Sequence, residues 1–321
     1  MNSPEHSGYT ANFADSGNSA RPADPGSPVN AGDSGYSANS GNPGSPADPE
    51  NSARGTAFSP ETLVFAADIG NSSVRFGVAD STGNLLFRSR VCTSEARSAD
   101  EYAVLFDSLL RMHGIGKQAV TGAILSSVVP GMTHRVADAV RLVFGVSAMI
   151  VGKGLHTGFP IRTDSPAEVG ADLIANAAAV LEKFGAPAII LDFGTATTLS
   201  VIDASRAFVG GSILPGVAVS LSAMRDSAAQ LPEVALENTP PVLGKNTADS
   251  MRSGLIFGSA AAADGMIDRL ARETGISPDR GHLIATGGLA PLIVPHLSNA
   301  VTLCPDLTLE GLCVLYRRNL R

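Results

Sequence analysis

The sequence predicts an α/β protein in which one structural unit is used twice, behind a low-complexity N-terminal segment. Two observations carry the duplication. An apolar strand, Leu63-Val64-Phe65-Ala66-Ala67, runs into Asp68-Ile69-Gly70-Asn71-Ser72-Ser73, and a second, Ile189-Ile190-Leu191, runs into Asp192-Phe193-Gly194-Thr195-Ala196-Thr197-Thr198. After each Asp-x-Gly comes a strand, a turn and another short apolar run, the pattern of a hairpin. The third observation, amphipathic helices alternating with apolar strands over the rest of the chain, gives the α/β class.

Composition bounds the reading before any motif does. The 321 residues, 44% apolar, suffice for a sizeable core and roughly two domains of ordinary size. A net charge of −7 argues against a general nucleic-acid or anionic-membrane binder, because both partners need a basic surface. Cys92, Cys304 and Cys313 are odd in number and lack metal-type spacing, which fits a reducing, cytoplasmic setting rather than a disulfide framework or zinc site. No unbroken apolar stretch reaches about 18 residues, and the N-terminus lacks the basic-then-apolar order of a signal peptide.

Residues 1–60 are rich in Gly, Ser, Asn, Pro, Ala and Asp, with repeats such as Asp15-Ser16-Gly17 and Asp33-Ser34-Gly35. Such a segment buries too little surface to offset its ordering entropy, so a disordered tail is expected. One α/β domain is expected over 61–185 and its copy over 186–321. In the first, Val74, Phe76 and Val78 alternate, Ser81-Thr82-Gly83-Asn84 turns, and Leu85-Leu86-Phe87 returns. Helical spacing covers Glu101 to His113 and His134 to Phe144, with strands at 122–130 and 148–151. Gly170-Ala171-Asp172 opens an Ala-rich helix that Gly185-Ala186-Pro187 ends. In the second, Gly210 to Gly216 is too glycine-rich for a plain strand and is expected to bring backbone close to something. Helices follow at about 219–229 and, with a break, at 248–274. His282 to Gly288 reads as strand then glycine turn, and Asp306 to Gly311 begins a terminal helix.

An Asp-Gly turn at a strand end is usually only a turn. A pair of them, each after a buried strand, can face one another and hold a polyphosphate, with carboxylates where hydrated Mg²⁺ bridges phosphate oxygens. Asp172 has two readings: a helix-start carboxylate, favourable by about 0.3–1 kcal/mol, or a general base for a substrate hydroxyl. Thr286-Gly287-Gly288 is either a helix-preceding turn or a floor for an adenine ring. Arg75 reads as a solvated strand residue, with phosphate contact as the alternative. Ser126 and Ser127 lack the context of a hydrolase nucleophile.

Six motifs occur in order: Asp68-Ile69-Gly70-Asn71, Gly170-Ala171-Asp172, Asp192 to Thr198, Gly210-Gly211-x-Ile213-x-Pro215-Gly216, Leu231-Pro232 and Gly244-Lys245-x-Thr247. Together they resemble type III pantothenate kinase from about Leu63 to the C-terminus. The resemblance implies two duplicated actin- and hexokinase-like (ribonuclease H-like) domains around a nucleotide cleft, and a homodimer. It implies ATP-dependent phosphorylation of pantothenate, the first step of coenzyme A biosynthesis, with Mg²⁺ and a monovalent cation, K⁺ or NH₄⁺. By matched position, Asp172 resembles the catalytic base, Asp68 the carboxylate serving Mg-ATP, and Asp192 the metal-site acid. Gly70, Asn71, Ser72, Gly194, Thr195 and Thr197 resemble the phosphate-contacting turns, and Gly170, Ala171 and Ala228 the substrate side.

Three positions depart from the family pattern. Leu173 stands where many members carry arginine, Thr163 where tyrosine is common, and Ala228 where threonine is frequent. All three lie on the substrate side. Two rival readings therefore stand beside the pantothenate kinase: a non-catalytic nucleotide-binding regulatory protein of the same fold, and a kinase of another small hydroxyl substrate. Asp172 weighs against the first rival, because a pure binder needs no base.

Overall fold

A computed structural model describes residues 62–227, 231–236, 238–277 and 280–320. The expected tail at 1–60 and Ala228 lie outside the described residues. β1 (Leu63–Ile69), β2 (Ser73–Ala79) and β3 (Leu85–Cys92) form an antiparallel meander. α1 (Ala99–Met112), started by a Ser98–Glu101 capping box, leads to β4 (Val120–Ser127) parallel to β1. α2 (Pro130–Phe144) then leads to β5 (Ala148–Ile150) parallel to β4.

After α3 (Ala171–Lys183) the course repeats. β6 (Ala188–Phe193), β7 (Ala196–Ile202) and β8 (Phe208–Pro215) form the second meander. α4 (Val217–Ser227) and α5 (Thr247–Thr274) lead to β9 (His282–Thr286) parallel to β6. α6 (Ala290–Ile293) leads to β10 (Thr302–Leu303) parallel to β9, and α7 (Leu307–Arg318) ends the chain. The strand orders, β3-β2-β1-β4-β5 and β8-β7-β6-β9-β10, are the same topology twice, as the repeated motif predicts.

The period-2 alternation of each strand decides what every side chain faces. In β1, Phe65, Ala67 and Ile69 join the outer core under α1 and α2, while Val64 and Ala66 join the central core. Asp68 continues the inward series. In β6, Ile189, Leu191 and Phe193 face the α5 side, while Ala188 and Ile190 face the central core and Asp192 follows them. Both aspartates thus stand at the carboxyl ends of inner strands, on the faces that look toward α3 and α7. α3 is rich in alanine because it is buried on nearly all sides, and α7 crosses it closely.

Three expectations change. Gly210 to Gly216 lies within or just after the edge strand β8, because Gly211 lets that strand approach the Leu199 carbonyl of β7 more closely than a Cβ allows. α5 runs unbroken for 28 residues, since Leu255, Ile256, Ala260, Ala263 and Ile267 pack on the second sheet and outweigh the propensity cost of its glycines. α2 begins at Pro130, earlier than 134, because proline suits the first helical position.

At the α3–α7 crossing a Cβ on Gly311 would overlap the Ala175 backbone carbonyl. Gly311→Ala is expected to cost about 1–3 kcal/mol by overpacking a backbone contact that has no side chain to move. Urea unfolding of the two proteins measures it, and an unchanged midpoint would contradict the tight crossing.

Candidate active site

The two Asp-x-Gly turns meet. Ser72 Oγ lies 3.0 Å from Thr195 Oγ1, joining the turn after β1 to the turn after β6. Around them is a cavity of about 540 Å³, lined by both turns, Asp68, Asp172 and Asp192. Of the residues predicted for the site, Asp68, Gly70, Asn71, Ser72, Asp172, Asp192, Gly194 and Thr195 line it. Gly170 caps α3 and Ala171 is its first, nearly buried residue; neither reaches the cavity wall. Thr197 shares the outward face of β7 with Leu199 and Val201, so Thr198, not Thr197, lines the cavity.

Asp68 is buried and fully engaged. Ser126 Oγ donates to its Oδ1 at 2.7 Å, and Arg75 donates to its Oδ2 at 2.8 Å. Arg75 is therefore not the solvated residue expected from sequence. Burial alone disfavours its charge, but Asp68, Asp192 and Asp172 outweigh that and raise the guanidinium above its ordinary value. From Arg75 a relay continues: Nη2 approaches Thr308 Oγ1 at 3.4 Å, and Thr308 donates to Asn176 Oδ1 at 2.9 Å. Asn176 Nδ2 then donates to Asp192 Oδ2 at 3.1 Å.

Asp192 is the less satisfied carboxylate. Its Oδ1 is buried without a hydrogen-bond partner among the described residues, as are Thr198 Oγ1 and Thr286 Oγ1. Thr198 on β7 and Thr286 on β9 are its cross-strand neighbours. Gly287, at φ +99°, folds the chain back so tightly that a Cβ there would lie 2.5 Å from Asp192 Oδ1. Burial raises the Asp192 carboxyl, Arg75 opposes this, and Asp68 adds to the rise.

Asp172 stands in the first turn of α3, where its Oδ1 accepts the Leu173 backbone N–H at 2.9 Å. Burial, then the charges of Asp68 and Asp192, push its carboxyl up to about 6. Leu173 does not line the cavity; it packs against the central core. Asn176 and Thr308 gave no signal as isolated letters in the sequence, because only the α3–α7 crossing brings them together. Arg75 and Thr198 were legible from strand parity alone.

Two sheets of the same topology meet at a carboxylate-lined cleft, with a glycine turn at the end of each central strand, the arrangement expected of a duplicated actin- and hexokinase-like fold. Sequence comparison narrows the class. The family description that matches, type III pantothenate kinase, spans residues 64–269. The type III pantothenate kinase of Pelobacter propionicus is 41% identical over 257 residues, covering 80% of this chain and 100% of its own length. That of Shouchella clausii has the same identity and coverage, and that of Streptomyces coelicolor is 39% identical over 262 residues, covering 80% of this chain and 98% of its own. The chain belongs to the type III pantothenate kinase family.

The raised carboxyl has a stability consequence. Its folded value lies above the ordinary 3.8, so the folded state holds the proton more tightly than the unfolded chain. Stability from this group is then lost as pH rises through that window, and the penalty is complete above about 6. Asp172→Asn is expected to raise the melting temperature at pH 8 and to raise it less at pH 5. A larger gain at pH 5 would reverse the assigned cause.

Proposed function

We propose that this chain transfers the γ-phosphoryl group of ATP to the hydroxyl of pantothenate, giving 4′-phosphopantothenate for coenzyme A biosynthesis. The single observation that carries the catalytic part is Asp172, a cavity-lining carboxylate raised to about 6. A base is most useful when its pKa lies near the working pH, because it is then both ionised and able to hold a proton. Asp172 accepts the proton of the substrate hydroxyl, and its bond from Leu173 fixes the carboxylate while it does so. The Gly70–Ser72 and Gly194–Thr195 turns hold phosphate oxygens through backbone N–H groups and hydroxyls. Gly170 and Ala171 place the base at the start of α3, Ala228 keeps the substrate-side role that the resemblance assigns, and Thr198 takes the cavity-facing place expected of Thr197.

The donor set suits hard cations, which prefer oxygen ligands. Asp192 Oδ1, Thr198 Oγ1 and Thr286 Oγ1 are three buried oxygens on neighbouring strand positions with no other partner. We assign Asp192 to the monovalent cation, K⁺ or NH₄⁺, and Asp68 to Mg-ATP. Bound cations offset phosphate charge during transfer. Arg75 and Ser126 hold Asp68 in place, and Asn176 holds the other oxygen of Asp192.

The division at 185/186 into two copies, a cytoplasmic setting and a homodimer belong to the same proposal. The homodimer is supported by the apolar side chains of Ile213, Val242 and Leu243, each more than two-thirds exposed. Among the described residues, no helix is long and apolar enough to cross a membrane.

Purified chain is expected to consume ATP with pantothenate, Mg²⁺ and K⁺ or NH₄⁺. Log kcat/KM for pantothenate should rise through pH about 6, because Asp172 must be ionised to take a proton. Asp172→Asn should lose most turnover. Absence of turnover under every salt would remove the kinase reading; equal activity in the variant would remove Asp172 as base.

A further inference from the structure

On the inner face of the first sheet three arginines stand in a row of neighbouring positions, Arg75 on β2 with Arg88 and Arg90 on β3. Their parity follows from the pairing, in which Arg75 is directly opposite Arg90 and Arg88 is opposite Gly77. Two of the three are neutralised: Arg75 by Asp68, and Arg88 by Asp306. Arg90 has no carboxylate partner and no side-chain hydrogen bond among the described residues. Arg90 is exposed, and the Arg75 opposite it already has its charge met by Asp68, so the Arg90 guanidinium is the one of the three left to take an anion from outside the chain.

The geometry also says where the anion would be. Arg90 lines the same cavity as the three aspartates. It reaches from the first sheet toward the second, with Nη1 3.6 Å from where a Cβ on Gly288 would stand. Gly287, the preceding residue, lies against Asp192 and Phe193. Arg90 thus ends at the glycine turn after β9, in the same cavity as the Gly194–Thr195 turn. The other cationic cavity, about 580 Å³ and lined by Arg317 and Arg318, offers no comparable vacancy, since both arginines already pair with Glu182.

We infer that Arg90 is a nucleotide-contacting residue, which bridges the cleft by donating to a phosphate oxygen of the bound nucleotide. The inference rests on the nucleotide reading above and adds a residue to it. Guanidinium suits this task because its planar donor fork matches phosphate oxygens and stays charged at any working pH.

Titration calorimetry with the full chain, using MgADP, adenosine and pantothenate as separate probes, tests it on wild type, R90Q and R90K. R90Q is expected to weaken MgADP by about tenfold to a hundredfold and to leave adenosine unchanged, with R90K recovering part of the loss. The unliganded R90Q protein should melt close to the wild-type temperature, since the exposed Arg90 side chain has no hydrogen bond or ion pair to lose among the described residues. Equal MgADP affinity in R90Q and wild type would overturn the inference while sparing the kinase. Equal losses for MgADP and adenosine, with a lower melting temperature, would overturn it in favour of a structural role. A loss confined to pantothenate would move Arg90 to the acid substrate. Wild type that binds no MgADP would end the nucleotide reading itself.

Discussion

The buried polar relay from Asp68 through Arg75, Thr308 and Asn176 to Asp192 is the constraint on which the site depends. It ties β1 and β2 to α7, α7 to α3, and α3 to β6. Thr308 and Asn176 are both almost wholly buried, so every broken link leaves a polar atom unpaired at a cost of about 1–3 kcal/mol. The last helix of the chain is therefore part of the active-site frame. It reaches the first sheet although it follows the second in sequence, and its Gly311 permits the approach to α3.

Charge explains why such a frame is needed. Three carboxylates share one cavity, and among the described residues Arg75 is the one cation hydrogen-bonded to any of them. Asp68 takes that cation, and the carboxyls of Asp172 and Asp192 are both raised, by burial first and with neighbouring carboxylate charge adding to it. Burying two carboxylates in this way works against the fold, because each is desolvated beside another negative charge. The same cleft also carries Arg90, so positive and negative groups are laid side by side, as a polyphosphate with its counter-ions requires.

How much of this was legible in the sequence depends on the range of the interaction. Asp68 and Asp192 could be placed because strand alternation puts every second residue on one face, and both follow an inward series. The same rule, applied one strand further, places Arg75 inward and exchanges Thr197 for Thr198. It failed to be decisive there because a single arginine on a strand carries no partner in its own neighbourhood; Asp68 is across the sheet, not along it. Asn176 and Thr308 lie 132 residues apart and meet only through helix packing. The glycine run of β8 is a related case: the close approach it implied is that of Gly211 to the Leu199 carbonyl on another strand, and it leaves the strand intact.

The duplication is exact in topology and unequal in chemistry, and the inequality assigns the roles. Asp68 is flanked at its register position by Arg75 and Ser126; Asp192 is flanked at the equivalent positions by Thr198 and Thr286. In the first copy both neighbours bond to the carboxylate and hold it in place. In the second, both hydroxyls and one carboxylate oxygen are buried without partners. Buried polar atoms in native proteins are nearly always satisfied, so three orphans at adjacent positions call for an occupant that they can all contact. One unit thus holds its carboxylate by hydrogen bonds while its copy leaves three buried oxygens without partners among the described residues, and Asp172 on α3 lines the same cavity as both carboxylates.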